Sequence, residues 1–581
     1  MPSSKINLLF PFGEEDFKKL SDVAFHDLGI EFICEKVTEK REERFSFSQI
    51  FQKMTDNPEV AAYRIEVFDD IFKNPEMCAA LMEQLEKINY EKQFSGFSGH
   101  FEETNSAWEL LHRLEEINAY IQSIEAIYKC LSSYTLKSEG LNNLKDYVNK
   151  LYNDNGFSEL KKDILELKAS TKNLKSVTLG VNLNEKFEAH GIGLVSFNKK
   201  EFTKSATIGQ FISKVAEKDS INETSDWKDD YKFIPIEAHK TDIFEKILSI
   251  AGSNDPRVEN STFYMDKIAN SMISGIVHKL KTVLKKYVYL PVTDITDLIP
   301  QFVFYIRFAE YIKRMQAKGF KFCKPEIACG KAKYFMSAKS VYNFKLLSAF
   351  ESGSNLQSGT KIEAENNVLQ DCSANEEIVS NDLDFDKNHL VYIFTGANRG
   401  GKTTFTQAVG LLFVLAQAGL YVPGESFVFN PVDSIYTHFP ADEDKTMDLG
   451  RLGEECKRFK EMYSASTESS LLLMNETYST TSFEEGFYIA KDSVRAILKK
   501  GVRTIYNTHM HKLAFDLDEI NAETSENDGE GGFKAASLIV KAENGARSFK
   551  VQVAPPEGIS FAKDIAEKYG VTFEMLTNSK D

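Results

Sequence analysis

The chain has 581 residues, enough for several cores at roughly 100–200 residues per domain. Charged residues at 27% and hydrophobic ones at 42% exclude a disordered chain, and seven scattered cysteines without C-x-x-C spacing exclude a zinc ribbon or a disulfide framework. A net charge of −16 opposes broad affinity for phosphate polymers, but it leaves room for a local basic patch.

The N-terminus carries no signal-peptide pattern and no segment reaches ~18 uninterrupted apolar residues, so a cytoplasmic chain without membrane contact is expected. From 14 to about 168, apolar and charged residues alternate at helical spacing. Segments 177–183 and 191–197 read as two strands, giving a small β element over about 176–215. Residues 218–232 read as a loop, and helical patterns return over 263–318 with breaks near Pro291 and Pro300. One of these helices carries His278, Lys279, Lys281, Lys285 and Lys286 beside an apolar face. It is either a solvated face or a contact for an acidic partner such as nucleic acid.

An acidic stretch over 351–386 reads as containing a surface loop ahead of a strand at 391–394. From that strand onward, strands and helices alternate as in an α/β domain with a largely parallel sheet. Residues 516–532 read as a flexible loop, followed by strands at 537–540 and 549–553 and a last helix at 560–569.

Gly396, Ala397, Asn398, Arg399, Gly400, Gly401, Lys402 and Thr403 fit G-x-x-x-x-G-K-[ST], and Thr404 follows them. The motif stands between an apolar strand and a helix, the context in which backbone N–H groups wrap a phosphate. Lys402 is then the residue that reaches the β- and γ-phosphates of ATP, and the Thr403 hydroxyl is a ligand for Mg²⁺. Farther on, an apolar strand over 470–474 ends in Asn475 and Glu476, a Walker B pattern. Asn475 offers the metal a carbonyl oxygen without charge, and Glu476 is the carboxylate positioned to orient or deprotonate the attacking water. A third strand over 502–506 leads to His509, a candidate sensor of the γ-phosphate or of that water.

These motifs, in this order and spacing, resemble the ATPase domain of the MutS family. The resemblance also takes in 421–423, 432–437, 441–444, 379–383 and 560–566, and runs from about Glu326 to Thr572. It implies an α/β P-loop NTPase domain of the ABC-like MutS type over 326–581. A mainly α-helical core and lever domain with the small β insertion would precede it over 1–325. It further implies a homodimer in which each nucleotide site is completed by the other subunit, with ATP as the switch.

Three departures bear on mechanism. Asn475 stands where Asp is usual; segment 448–455 holds no Ser or Thr for the partner's nucleotide, leaving Arg451 as a candidate for that contact; and Gln407 lies one position before the glutamine of the family. No segment resembles the mismatch-reading domain with its aromatic wedge. Two function classes follow: a DNA-dependent ATPase clamping duplex or branched DNA in repair or recombination, or an ATP-gated module that grips a protein or ribonucleoprotein partner. A small-molecule kinase is disfavoured, because such an enzyme has no use for a long helical arm.

Overall fold

The computed structural model describes residues 6–11, 15–94, 107–171, 176–183, 185–186, 189–198, 200, 234–235, 274–284, 295–350, 378–396, 400–440, 450–525, 532–543, 546–556 and 571–578. The expected loop at 218–232, residues 351–377 of the acidic stretch 351–386, the acidic run at 441–444, Lys285, Lys286 and the helix at 560–569 lie outside these residues. Two compact units result, one of residues 1–79, 135–144 and 297–581, the other of 80–134 and 145–296.

The packing does not follow a linear division at 325/326. Helices Pro58–Lys73 and Ile299–Ala317 belong with the α/β fold because both have broad apolar faces. Phe68 packs against Tyr305 at 5.8 Å and against Tyr421 at 5.3 Å between ring centroids. Arg64, fully buried, donates to the carbonyls of Leu9, Lys53 and Gln417. Gly419 passes so close that a Cβ there would stand 2.6 Å from the Arg64 carbonyl oxygen, and its φ of 93° suits glycine.

The α/β fold is built on β1 (Val391–Thr395), α1 (Lys402–Gln417), β2 (Ile435–His438), α2 (Gly450–Ala465), β3 (Leu471–Asn475), α3 (Phe483–Lys500), β4 (Arg503–Asn507), β5 (Ala535–Glu543) and β6 (Ala546–Val553). Strand order is β2-β3-β4-β1-β5-β6, parallel throughout except for the β5–β6 hairpin. Every residue of β1, β3 and β4 is buried, so these strands read as continuous rather than alternating apolar runs, as expected for a sheet covered on both faces. The register aligns Phe394 and Asn475 with Asn507, which brings the C-terminal tips of the three central strands to one edge. Ligands of open parallel sheets bind at that edge.

Residues 517–525, expected to be loop, form a helix, Leu517–Ser525. Its acidic composition misleads, because Leu517 and Ile520 form a buried stripe three residues apart. The acids themselves pair with α3, Glu519 with Lys491 at 2.8 Å and Glu523 with Arg495 at 2.9 Å. Only 526–531 of the expected loop lie outside the described residues.

In the second unit, helices Ala107–Ser132, Asn155–Thr171 and Ser274–Leu284 pack on one another through residues such as Leu114, Ile121, Ile164 and Leu280. His278 and Lys279 are exposed while Leu280 and Leu284 are buried, the amphipathic arrangement expected of that helix. The two expected strands, Ser176–Leu183 and Ala189–Asn198, pair antiparallel, and a short third strand, Ile234–Pro235, adds to them.

Candidate nucleotide site

Strand β1 ends at Thr395 and the chain turns at Gly396, whose φ of 139° favours glycine. Ala397, Asn398 and Arg399 lie outside the described residues, and the loop resumes at Gly400. Gly401 caps α1 with a left-handed φ of 85°, so the first turn of α1 points its leading N–H groups and the positive end of its dipole back toward the loop. Lys402 is buried and its Nζ donates to the Gly396 carbonyl at 2.9 Å. Burial lowers its pKa, and Glu476 opposes the shift, which puts the two side chains in one electrostatic neighbourhood. The Thr404 carbonyl accepts from the Asn343 amide at 2.8 Å, anchoring the helix start from outside the motif.

A short polar chain ties the strand tips together. The Thr406 hydroxyl donates to Asn507 Oδ1 at 3.0 Å, and the Asn507 amide donates to Asn475 Oδ1 at 3.0 Å. The Thr403 hydroxyl also donates to Asn475 Oδ1, at 3.1 Å. These bonds fix both asparagine rotamers. They spend the Thr403 proton on Asn475 and leave the Thr403 lone pairs free to face a cation. The donor set is oxygen only and includes nearby Glu476, which fits Mg²⁺ held chiefly by phosphate oxygens and water rather than by a protein cage.

Glu476 itself has a φ of 56°, uncommon away from glycine, and its N–H donates to the Asn507 carbonyl at 2.9 Å. His509 Nε2 stands 2.7 Å from Glu476 Oε1, so the two residues singled out for catalysis meet directly. Both are partly exposed, at 23% for the Glu476 side chain and 44% for His509, and so are open to solvent and substrate. Gln407 turns away to donate to the Asp27 carbonyl at 2.7 Å, a structural contact. Arg451 is exposed in the first turn of α2.

Sequence reasoning missed several residues around this site. Asn507 joins two motifs from inside the sheet. His511 lies near His509 and Lys402, and burial, with smaller contributions from these two neighbours, lowers its pKa. Phe549, with φ of 54°, places its ring edge 3.3 Å from where a Gly401 Cβ would stand. The H-x-H spacing of His509 and His511 was a visible signal; nothing in the local sequence pointed to Phe549.

The family model for MutS domain V matches residues 392–567, and that for the MutS2 N-terminal domain matches 56–318. A protein named DNA mismatch repair protein MutS from Chlorobium chlorochromatii is 35% identical over 147 residues, 25% of this chain and 17% of that protein. Another of that name from Chlorobium phaeobacteroides is 34% identical over 210 residues, 36% of this chain and 23% of that one. A protein named Endonuclease MutS2 from Thermus thermophilus is 27% identical over 204 residues, 35% and 26% of the respective chains. The alignments thus span about a quarter or less of these relatives. Among the described residues no helix is long and apolar enough to cross a membrane. With a P-loop fold that carries the domain V pattern at its strand tips and a preceding region that matches the MutS2 N-terminal domain, the chain belongs to the MutS family.

Proposed function

We propose that this protein is a cytoplasmic, Mg²⁺-dependent ATPase that works as a homodimer and uses ATP to switch a clamp on duplex or branched DNA in repair or recombination. The observation that supports it most is the meeting of Lys402, Thr403, Asn475, Glu476 and His509 at one sheet edge. Residues 396–404 form the ATP-binding loop, and Mg²⁺, held by Thr403 and the phosphates, would offset charge on the transferred phosphoryl group. Glu476 accepts the proton of the attacking water, and His509 orients Glu476 and senses the γ-phosphate. Arg451 reaches the nucleotide of the other subunit. The helical region 1–325 acts as core and lever, and hydrolysis resets the dimer.

The endonuclease in the name of the Thermus relative is not carried over, because the alignment covers 26% of that protein. A second reading, an ATP-gated module for a protein or ribonucleoprotein partner, is favoured by the net charge of −16. Steady-state hydrolysis with Mg²⁺ separates the two, measured alone and with single-stranded, duplex, mismatched and branched DNA, using Lys402→Ala as the blank. A rate raised by one DNA form supports the clamp. A rate indifferent to all of them, without salt-sensitive DNA binding, shifts the proposal to the second reading. Hydrolysis equal to the blank removes both.

A further inference from the structure

The chain just beyond β3 is strained. Glu476 and Tyr478 both adopt left-handed φ, 56° and 63°, a conformation that costs free energy for residues with side chains and persists only where the surroundings enforce it. One set of restraints comes from the neighbouring strand and helix: the Tyr506 hydroxyl donates to the Thr477 carbonyl at 3.1 Å, and the Tyr478 and Ser493 hydroxyls lie 3.1 Å apart. Gly486 lets α3 close in, since a Cβ there would stand 2.7 Å from the Tyr478 carbonyl oxygen.

The other set leads to α2. His438, buried at the end of β2, places Nε2 3.2 Å from the Glu455 carbonyl and Nδ1 3.2 Å from the Thr477 hydroxyl. A carbonyl can only accept, so Nε2 carries the proton and Nδ1 accepts from Thr477; the ring bridges α2 to the residue after Glu476. The half-buried Glu455 carboxyl faces the Tyr478 amide and the Thr480 hydroxyl, and Phe459 packs edge-on to Tyr478 at 6.1 Å. None of these groups belongs to the P-loop.

We propose that α2 sets the direction of Glu476 through His438 and Glu455, so that a contact displacing the exposed first turn of α2 alters the hydrolytic step and leaves nucleotide affinity unchanged. His438 and Glu455 are positioning residues in this scheme, which rests on the role given to Glu476 above.

The test measures ATP affinity and single-turnover hydrolysis separately in His438→Ala, Glu455→Ala and Glu455→Gln. The alanine variants should hydrolyse about 10- to 100-fold more slowly, the cost of a small misplacement, with affinity within about twofold of the parent. Glu455→Gln, which keeps the shape of the side chain and an acceptor oxygen near Tyr478 and Thr480, should recover most of the rate. An unchanged rate in folded Glu455→Ala overturns the proposal, as does a loss of affinity that accounts for the whole loss of rate. Glu455 is half-buried, so its alanine variant carries the test if His438→Ala does not fold. A Glu476→Ala control separates the two layers: normal turnover there removes the role of Glu476, whereas a dead Glu476→Ala beside a fully active Glu455→Ala removes only the linkage.

Discussion

Strand β4 carries a buried polar residue at each end, and the two are used in opposite ways. At its start, the Arg503 guanidinium donates to the carbonyls of Asn430, Pro431 and Ser469 at 3.0, 3.4 and 3.0 Å and lies over the Phe413 ring. Burial pushes its pKa down to about 9, with Asp433 and Asp56 opposing the shift only through space. These partners are backbone carbonyls of fixed position, so the group joins segments of chain. At its end, the Asn507 amide bonds to Asn475 and Thr406, and that chain leads outward to Thr403 and the half-open Glu476–His509 pair. A buried polar group closed by backbone serves the fold. One whose partners reach ionisable, partly exposed side chains serves chemistry.

Opposite signatures in activity and stability would bear this contrast out. Glu476→Ala should lower the hydrolysis rate by about 10²–10⁴-fold, the usual worth of a general base, while the urea midpoint stays put and ATP still binds. Arg503→Met should do the reverse, costing about 2–4 kcal/mol of unfolding free energy because three carbonyls, those of Pro431 and Ser469 on buried residues, lose their donors, with kcat retained wherever the protein is folded. A large loss of kcat in folded Arg503→Met, or a lowered midpoint in Glu476→Ala, would dissolve the distinction between the two ends.

The sequence made the functional end more legible than the structural one. The P-loop, Asn475–Glu476 and His509 each follow an apolar strand, and a parallel sheet delivers such tips to one edge, so their meeting followed from pattern alone. Arg503 resembled an ordinary charge at a strand start, since its acceptors come from 430–431 and 469, far off in sequence. His438 was illegible for the same reason, standing between Thr477 and Glu455 on two other elements. The helix Leu517–Ser525 was hidden by its acids, whose partners lie on α3. The allegiance of Pro58–Lys73 and Ile299–Ala317 to the α/β unit was not readable either, because periodicity reveals an apolar face but not what covers it.

His438 belongs to the structural class by its burial and to the functional class by its neighbour, and pH separates the two contributions. Desolvation, and secondarily Arg458, push its pKa from 6.5 down to about 4. The unfolded chain therefore binds a proton between pH 6.5 and 4 that the folded chain refuses. The stabilising contribution is complete above pH 6.5 and declines as pH falls toward 4, by about 3 kcal/mol in all. Urea unfolding at pH 7 and pH 4.5 should show this loss in the parent and a smaller one in His438→Gln; equal losses would mean that other groups dominate the acid limb.

The smallest effect bears most directly on the metal. Asn475→Asp keeps an oxygen that accepts from both Thr403 and Asn507, so neither fold nor register should change. What changes is one negative charge beside the place where Mg²⁺ would meet the phosphates, an interaction of about 1 kcal/mol when partly screened by solvent and water-mediated. The Mg²⁺ concentration that half-saturates hydrolysis should therefore fall by about fivefold, with the urea midpoint unchanged. An unaltered Mg²⁺ requirement would show that the Asn475 oxygen is consumed by its two donors and lies beyond the reach of the cation, in which case this strand tip is structural, as the Arg503 end of β4 is.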